Sequence, residues 1–339
     1  SQKYHVLKTA GNFNNEIGLP LTVFRLREEH EVAVLEMGIS GFGEMTRLAK
    51  IARPDICVIT NIGVAHLENL GSRDGILKAK TEVFAYMNPR GTIILNGDDD
   101  KLRSFTPENG ITPVYFGLDA ACPFHAEHIE NRGLKGTDAE FVTPASRFSA
   151  HINIPGGHMV YNALAGAAVG HALGMTDQEI ARGIEANVPI AGRNNLIETS
   201  RYTLIDDCYN ANPASMKASL DVLACADTRT AAILGDMFEL GENSAKMHYE
   251  VGAHAADAGI NVLIGIGELS AETVRGAEET AAERGLSMEI RHFASKEDFF
   301  RESETLLKEK DTILIKASHG MEFTEIVDRL KEPVRTENI

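Results

Sequence analysis

No run of about 18 consecutive apolar residues occurs in the 339-residue sequence, so no membrane-inserted helix is expected. Ser1 to Thr9 contain no apolar stretch of the kind that directs secretion. Cysteine is scarce. Cys57, Cys122, Cys208 and Cys225 lie far apart with no C-x-x-C pair, which argues against a disulfide framework or a cysteine zinc site and fits a reducing cytoplasm. Positive charge is in deficit, with 33 Lys and Arg against 49 Asp and Glu, a formal net charge of −16. A protein that grips a nucleic-acid backbone needs a basic face, so no nucleic-acid partner is expected. Anionic nucleotides remain possible ligands where metal ions and backbone amides supply the positive potential. An initiator Met is lacking too, and the sequence opens abruptly, as an excised segment would.

What is present is ordinary for a globular chain: 43% hydrophobic and 24% charged residues, in a length that suggests two or three domains. The β-branched runs Val32–Glu36, Ile56–Thr60 and Thr92–Asn96 alternate with helical periodicity over Glu44–Ala52 and Asp74–Met87, which implies βαβ crossovers and a parallel sheet. His125–Glu130, Ala139–Thr143 and Phe148–Ile154 instead alternate apolar and polar residues, as a small antiparallel insert would. A helix over Val160–Leu173 follows.

The βα rhythm then restarts. Strands are predicted at Thr203–Asp207, Ala231–Leu234, Val262–Ile266, Glu289–Phe293 and Thr312–Ala317. Helices are predicted at Pro213–Ala226, Ala245–Ala258, Ser270–Arg284, Lys296–Lys308 and Met321–Leu330, the first opened by Asn212 as N-cap and Pro213 behind it. The domain boundary is drawn near Pro189–Asn195, giving residues 1–190 and 191–339, and the polar tail after Lys331 is expected to fray.

Ligands of open parallel sheets gather beyond the carboxyl ends of the strands. Glu36 closes one predicted strand and His66 follows another, and a carboxylate with an imidazole there can hold a phosphate-bound divalent cation. Taken alone, each better suits a structural role, Glu36 as a strand-end salt bridge and His66 as a helix-capping or core histidine. Lys80, in Ala79-Lys80-Thr81-Glu82, reads as a solvated lysine paired with Glu82 or Glu36. Asn162 falls on the first turn after Gly156-Gly157-His158, where an amide can meet a base edge. Arg193 in the linker can reach a phosphate or form an ordinary salt bridge. The densest polar cluster is Asp206-Asp207-Cys208-Tyr209-Asn210-Ala211-Asn212-Pro213, between a strand and a helix. Gly265–Ser270 faintly echoes a dinucleotide fingerprint but lacks the third glycine, and reads as a tight turn.

Several of these segments together resemble the Mur ligase family: Gly11-Asn12-Phe13-Asn14-Asn15-Glu16-Ile17-Gly18-Leu19-Pro20, Leu35 to Glu44, Thr60 to Glu68, Asp206 to Met216, and Leu234 to Gly241. The resemblance spans nearly the whole chain in family order. It implies an α/β fold, with a parallel-sheet Mur ligase central domain carrying the small antiparallel insert and a Rossmann-like C-terminal domain after it. It also implies a cytoplasmic, ATP-dependent carboxylate–amine ligase that joins D-alanyl-D-alanine to UDP-N-acetylmuramoyl-tripeptide in peptidoglycan synthesis. By the same resemblance, Glu36 and His66 hold Mg2+, Lys80 is carbamylated and serves that site, and Asn14 and Asn15 face the peptide. ATP falls to His158, Asn162, Arg193 and Asp207, the last on the ribose, with Tyr209 and Asn210 beside it.

Met159 stands where the family usually has Asn, which shifts base recognition onto His158 and Asn162. Lys316-Ala317-Ser318-His319 replaces a usual Lys-Gly-Ser-Arg. None of the lysines follows a glycine, so the family's phosphate-gripping Gly-Lys-Thr loop is expected just upstream of Ser1, along with the UDP-sugar domain. On that expectation the chain by itself is inactive, and a non-catalytic nucleotide- or partner-binding module of the same fold is the competing reading. A nicotinamide enzyme is a third, and it needs the glycine that Gly265–Ser270 does not supply.

Overall fold

The computed structural model of the chain describes residues 1–64 and 66–331, so the tail expected to fray lies outside the described residues. Two compact units are present. One comprises Ser1–Glu130, Thr137–Asn153 and His158–Asn187; the other comprises Asn131–Gly136, Ile154–Gly157 and the chain from Val188 onward.

The first unit is built on short parallel strands. β1 (Val6–Lys8) pairs with β2 (Val32–Val34), while β3 (Ile56–Ile59), β4 (Thr92–Asn96) and β5 (Val114–Phe116) form a second, three-stranded parallel sheet. β2 stops two residues short of the predicted Glu36. Its partner ends at Lys8, and the Glu36 N–H donates instead to the Thr9 hydroxyl at 2.9 Å.

The helices of this unit are α1 (Gly18–Val23), α2 (Glu44–Ala52), α3 (Leu67–Leu70), α4 (Arg73–Thr81), α5 (Asp100–Arg103), α6 (His158–Ala172) and α7 (Asp177–Glu185). The single helix expected over Asp74–Met87 breaks at Thr81 into a 3-10 turn, Glu82–Tyr86. At the break, the Glu82 carboxylate reaches the N-terminus of α2, where it accepts the N–H groups of Gly43 (3.0 Å) and Thr46 (3.1 Å) and the Thr46 hydroxyl (2.9 Å). A carboxylate is favoured there by the unpaired amides of a helix start. The expected insert is present as β6 (His125–Asn131), β7 (Thr137–Val142) and β8 (Arg147–Ile152), with β7 and β8 antiparallel.

The second unit carries one six-stranded sheet in the order β13-β12-β11-β14-β10-β9. Its strands are β9 (Asn195–Glu198), β10 (Thr203–Asp206), β11 (Thr230–Gly235), β12 (Val262–Ile266), β13 (Glu289–Phe293) and β14 (Thr312–Lys316). All neighbours are parallel except β9, which runs antiparallel along β10. The helices are α8 (Pro213–Ala224), α9 (Ser244–Asp257), α10 (Ser270–Arg284), α11 (Lys296–Leu306) and α12 (Thr324–Lys331). β11, β12 and β14 are buried along their whole length, which explains why their sequences read as unbroken apolar runs. Apolar clusters line both faces of this sheet. β14 returns between β10 and β11, so the loops leaving these three strands converge at one end of the sheet, where such folds bind ligands.

Candidate functional site

In the first unit, four side chains pin the backbone that leaves β3. Asn96 Nδ2 donates to the Thr60 carbonyl at 2.9 Å and Lys80 Nζ to the Asn61 carbonyl at 3.0 Å. The Asp99 carboxylate accepts the Ile62 N–H at 2.8 Å, and Arg73 Nε donates to the Ile62 carbonyl at 2.9 Å. With its hydrogen bonds fixed, this segment leads to His66, a half-buried non-glycine residue in the left-handed region (φ 60°), which caps α3. Its carbonyl accepts the N–H groups of Asn69 and Leu70.

Burial pulls the Lys80 ammonium below its ordinary pKa, and the negative charge of Asp99 partly opposes this. The expected pairing of Lys80 with Glu82 or Glu36 does not form: Lys80 donates to the Asn61 carbonyl, Glu82 accepts from the α2 start, and Glu36 accepts from Asn14. The Glu36 carboxylate accepts Asn14 Nδ2 at 2.8 Å. Gly38 makes that contact possible, since a Cβ there would lie 2.8 Å from the Asn14 amide. Asn15 turns the other way, with Oδ1 accepting the N–H groups of Ile17 (3.1 Å) and Gly18 (2.8 Å) at the start of α1.

Among the described residues, the one trio of His and carboxylate groups whose ligand atoms converge lies elsewhere, at Glu127, His128 and Glu140 on β6 and β7. Arg147 sits 2.5 Å from Glu127 and 3.5 Å from Glu140, so a guanidinium already offsets part of that trio's negative charge.

His158 and Asn162 lie exposed on the first turns of α6, and Asn162 Nδ2 approaches the Met159 sulfur at 3.3 Å. A cavity of about 270 Å³ opens beside this helix, bounded by Met159, Asn162, Gly166 and Gly170 on α6 and by Ile180 on α7.

In the second unit, the β10 exit holds the polar cluster expected from the sequence. Asp207 Oδ2 accepts Lys316 Nζ at 2.7 Å and the Ser219 hydroxyl at 2.5 Å, while Oδ1 accepts the Asn194 N–H at 3.0 Å. A carboxylate offers about four acceptor positions, so one on Oδ1 remains for a ligand hydroxyl. Asp206 is buried and accepts the Gly192 N–H at 2.9 Å, which holds the linker against the strand. Arg193 is exposed, its guanidinium stacked 4.0 Å from the centre of the Tyr209 ring, and the His319 ring lies 5.6 Å from the same centre. Asn210 Oδ1 accepts the next backbone N–H, leaving its amide N–H₂ at the exposed edge.

Gly267, in the segment with the weak dinucleotide echo, has φ 117°, and a Cβ there would meet the Asp236 carboxylate at 2.5 Å. Asp236 also accepts the Ser270 N–H at 2.7 Å. The start of α10, where a dinucleotide fold binds pyrophosphate, is therefore occupied by a carboxylate, and the nicotinamide reading fails.

Asp99 and Arg73 are not singled out by the sequence, and Lys316 is marked there only as part of Lys316-Ala317-Ser318-His319, with no role assigned. The Asp98-Asp99-Asp100 run directly behind β4 was a usable signal, being carboxylates at a parallel-strand exit.

Comparison with known proteins defines the class. The Mur ligase middle domain matches residues 1–170, and the family described as "Mur ligase, glutamate ligase domain" matches residues 192–319. The chain belongs to the Mur ligase family. Its relatives include the UDP-N-acetylmuramoyl-tripeptide–D-alanyl-D-alanine ligase of Bacillus subtilis, 36% identical over 97% of this chain and 71% of that protein. The enzyme of the same name from Escherichia coli is 35% identical over 98% and 72%. Among solved structures, MurF from Acinetobacter baumannii superposes with a TM-score of 0.88 at 29% identity, covering 98% of this chain and 72% of that one. MurF from Thermotoga maritima in complex with ADP gives 0.83 at 27%, covering 97% and 74%. Among the described residues, no helix is long and apolar enough to cross a membrane.

Proposed function

We propose that the chain carries the ATP-dependent chemistry that adds D-alanyl-D-alanine to UDP-N-acetylmuramoyl-tripeptide in cytoplasmic peptidoglycan synthesis, with residues 1–190 as the ATPase-type domain and 191–339 as the ligase domain. The observation that carries this reading is the 35–36% identity to two such ligases along 97–98% of the chain. Four unpaired cysteines suit a reducing compartment.

The oxygen donors of this set, the Glu36 carboxylate and a carbamate on Lys80, are of the kind Mg2+ takes. Glu36 offers a carboxylate steadied by Asn14, His66 an imidazole on a loop held by four side chains, and Lys80 an amine whose ammonium form is weakened by burial. A larger neutral fraction lets the Lys80 amine add to CO2 and lose a proton, giving an anionic carbamate in place of a cation. When bound, the metal offsets charge on the transferring phosphoryl group.

Other groups of this chain contribute to the nucleotide and peptide sides. His158 and Asn162 meet the base, Arg193 reaches a phosphate, and Tyr209, Asn210 and the open position on Asp207 Oδ1 meet the sugar side of the nucleotide. Asn14 and Asn15 border the peptide. The substrate carboxylate attacks the γ-phosphorus of ATP, forming an acyl phosphate as ADP departs. The amine of D-alanyl-D-alanine then attacks the acyl carbon, forms the amide, loses a proton and expels phosphate. Excluding water from the acyl phosphate protects it during the second step.

Lys80→Ala, assayed in the protein as encoded, is expected to abolish ligation beyond rescue by added bicarbonate. Near-normal turnover in that variant would remove Lys80 and its metal site from the mechanism.

A further inference from the structure

The segment Lys316-Ala317-Ser318-His319 has no part in the chemistry above, yet it touches both loops that flank it. Lys316 ends β14 and is 2% exposed, an unusual place for an ammonium group unless every N–H is paired. Its Nζ donates to Asp207 Oδ2 at 2.7 Å and to the Asn210 carbonyl at 3.0 Å, and lies 3.4 Å from the Asp207 carbonyl. All three acceptors belong to the loop leaving β10. Two residues on, the Ser318 hydroxyl accepts the Phe238 N–H at 2.9 Å, and the Ser318 N–H donates to the Asp236 carbonyl at 3.0 Å. Both of those belong to the loop leaving β11. Ala317 between them is fully buried, with Gly235 opposite it. A Cβ on Gly235 would lie 2.7 Å from the Ala317 methyl, so the strand tolerates alanine here because position 235 has no side chain.

We propose that Lys316 is a positioning residue for the nucleotide. It aims the Asp207 carboxylate and fixes the Asp207–Asn210 loop without touching the ligand. Lys316 and Ser219 together saturate Oδ2, so the one open acceptor of Asp207 lies on Oδ1. Removing the ammonium leaves a carboxylate short of one strong donor and frees the Asn210 backbone, which disorders the nucleotide contact while leaving the amine-binding chemistry in place. This inference rests on the reading that Asp207 contacts the nucleotide.

The test is a mutant cycle on ligation kinetics in the protein as encoded, with Lys316→Met, Asp207→Asn and the double variant. Lys316→Met is expected to raise the KM for ATP at least tenfold, with the KM for D-alanyl-D-alanine and kcat changed less than twofold. Adding it to Asp207→Asn is expected to cause a further rise smaller than the one it causes alone, from the Asn210 contact that remains. Equal effects on both substrates, a loss confined to kcat, or a full additional rise in the double variant would overturn the proposal. A normal ATP KM in Asp207→Asn would instead remove the underlying assignment of Asp207, and the proposal with it. If Lys316→Met fails to fold, Lys316→Arg provides the test. It keeps the charge on a head of different geometry, and a melting curve like that of the parent with an ATP-selective KM rise supports the proposal, whereas an unchanged ATP KM contradicts it.

Discussion

The Asp99 carboxylate accepts the Ile62 backbone N–H at 2.8 Å, so a side chain behind β4 sets the course of the backbone behind β3. Its other oxygen accepts the N–H groups of Lys101 and Leu102, both at 3.0 Å, and caps α5. Ile62 itself is 1% exposed, so its amide has little access to water as a substitute partner.

Replacing Asp99 with Ala removes a helix cap and orphans a buried N–H. Each loss costs on the order of 1–2 kcal/mol, so the combined destabilisation is expected at about 2–4 kcal/mol. Urea denaturation checks this. A change below about 0.5 kcal/mol, the level of an ordinary surface substitution, would mean the loop is held by other contacts.

Acid sensitivity is expected from His248. The ring is fully buried, Nε2 accepts the Met237 N–H at 2.9 Å, and Nδ1 faces the Ser244 carbonyl at 2.8 Å. These partners fit a neutral ring protonated on Nδ1. Burial holds the pKa below the ordinary 6.5, with the Ser244 carbonyl and nearby acids opposing it. The unfolded chain thus takes up a proton near 6.5 and the folded chain only at lower pH. The stabilising contribution is complete above that value and is lost as pH falls toward the folded pKa. Denaturant midpoints are expected to drop between about pH 7 and pH 5.5, and His248→Gln to flatten that slope at a cost of about 1–3 kcal/mol.

The thiols are expected to differ in reactivity. Burial pushes Cys57 and Cys208 up to about 12, Cys208 with help from the Asp206 carboxylate, and it raises Cys122 as well. Cys225 is half-buried at the end of α8. Because the thiolate is the reactive form, a thiol reagent near pH 8 is expected to label Cys225 first in the native protein. Cys225→Ser should remove the fast phase. Fast labelling of Cys208 would contradict the packing at the β10 exit.

How much of this was legible in the sequence depended on element length and burial. β12, β13 and α10 match their expected limits residue for residue, because each is a run of five or more residues bounded by turn residues. β1 and β5 escaped notice because three residues carry no period. β9 was hidden because Asn195 had been read as the end of a linker, whereas Asn195–Glu198 pairs antiparallel with β10. In the site, the Asp206–Pro213 cluster stood out because its polar residues are adjacent in sequence. The role of Lys316 did not, although its segment is marked, since the contact that gives it meaning spans 109 positions and forms only once β14 inserts between β10 and β11.

The central claim is that the Lys80 amine, docked on the Asn61 carbonyl and weakened as a base by burial, becomes the anionic carbamate of a magnesium–phosphate site. Carbon-13 NMR of the protein equilibrated with labelled bicarbonate and Mg2+ tests it most directly. One carbamate carbonyl resonance that disappears in Lys80→Arg, together with loss of ligation in that variant, is the expected result. Full ligation by Lys80→Arg with no such resonance in the parent would contradict the account.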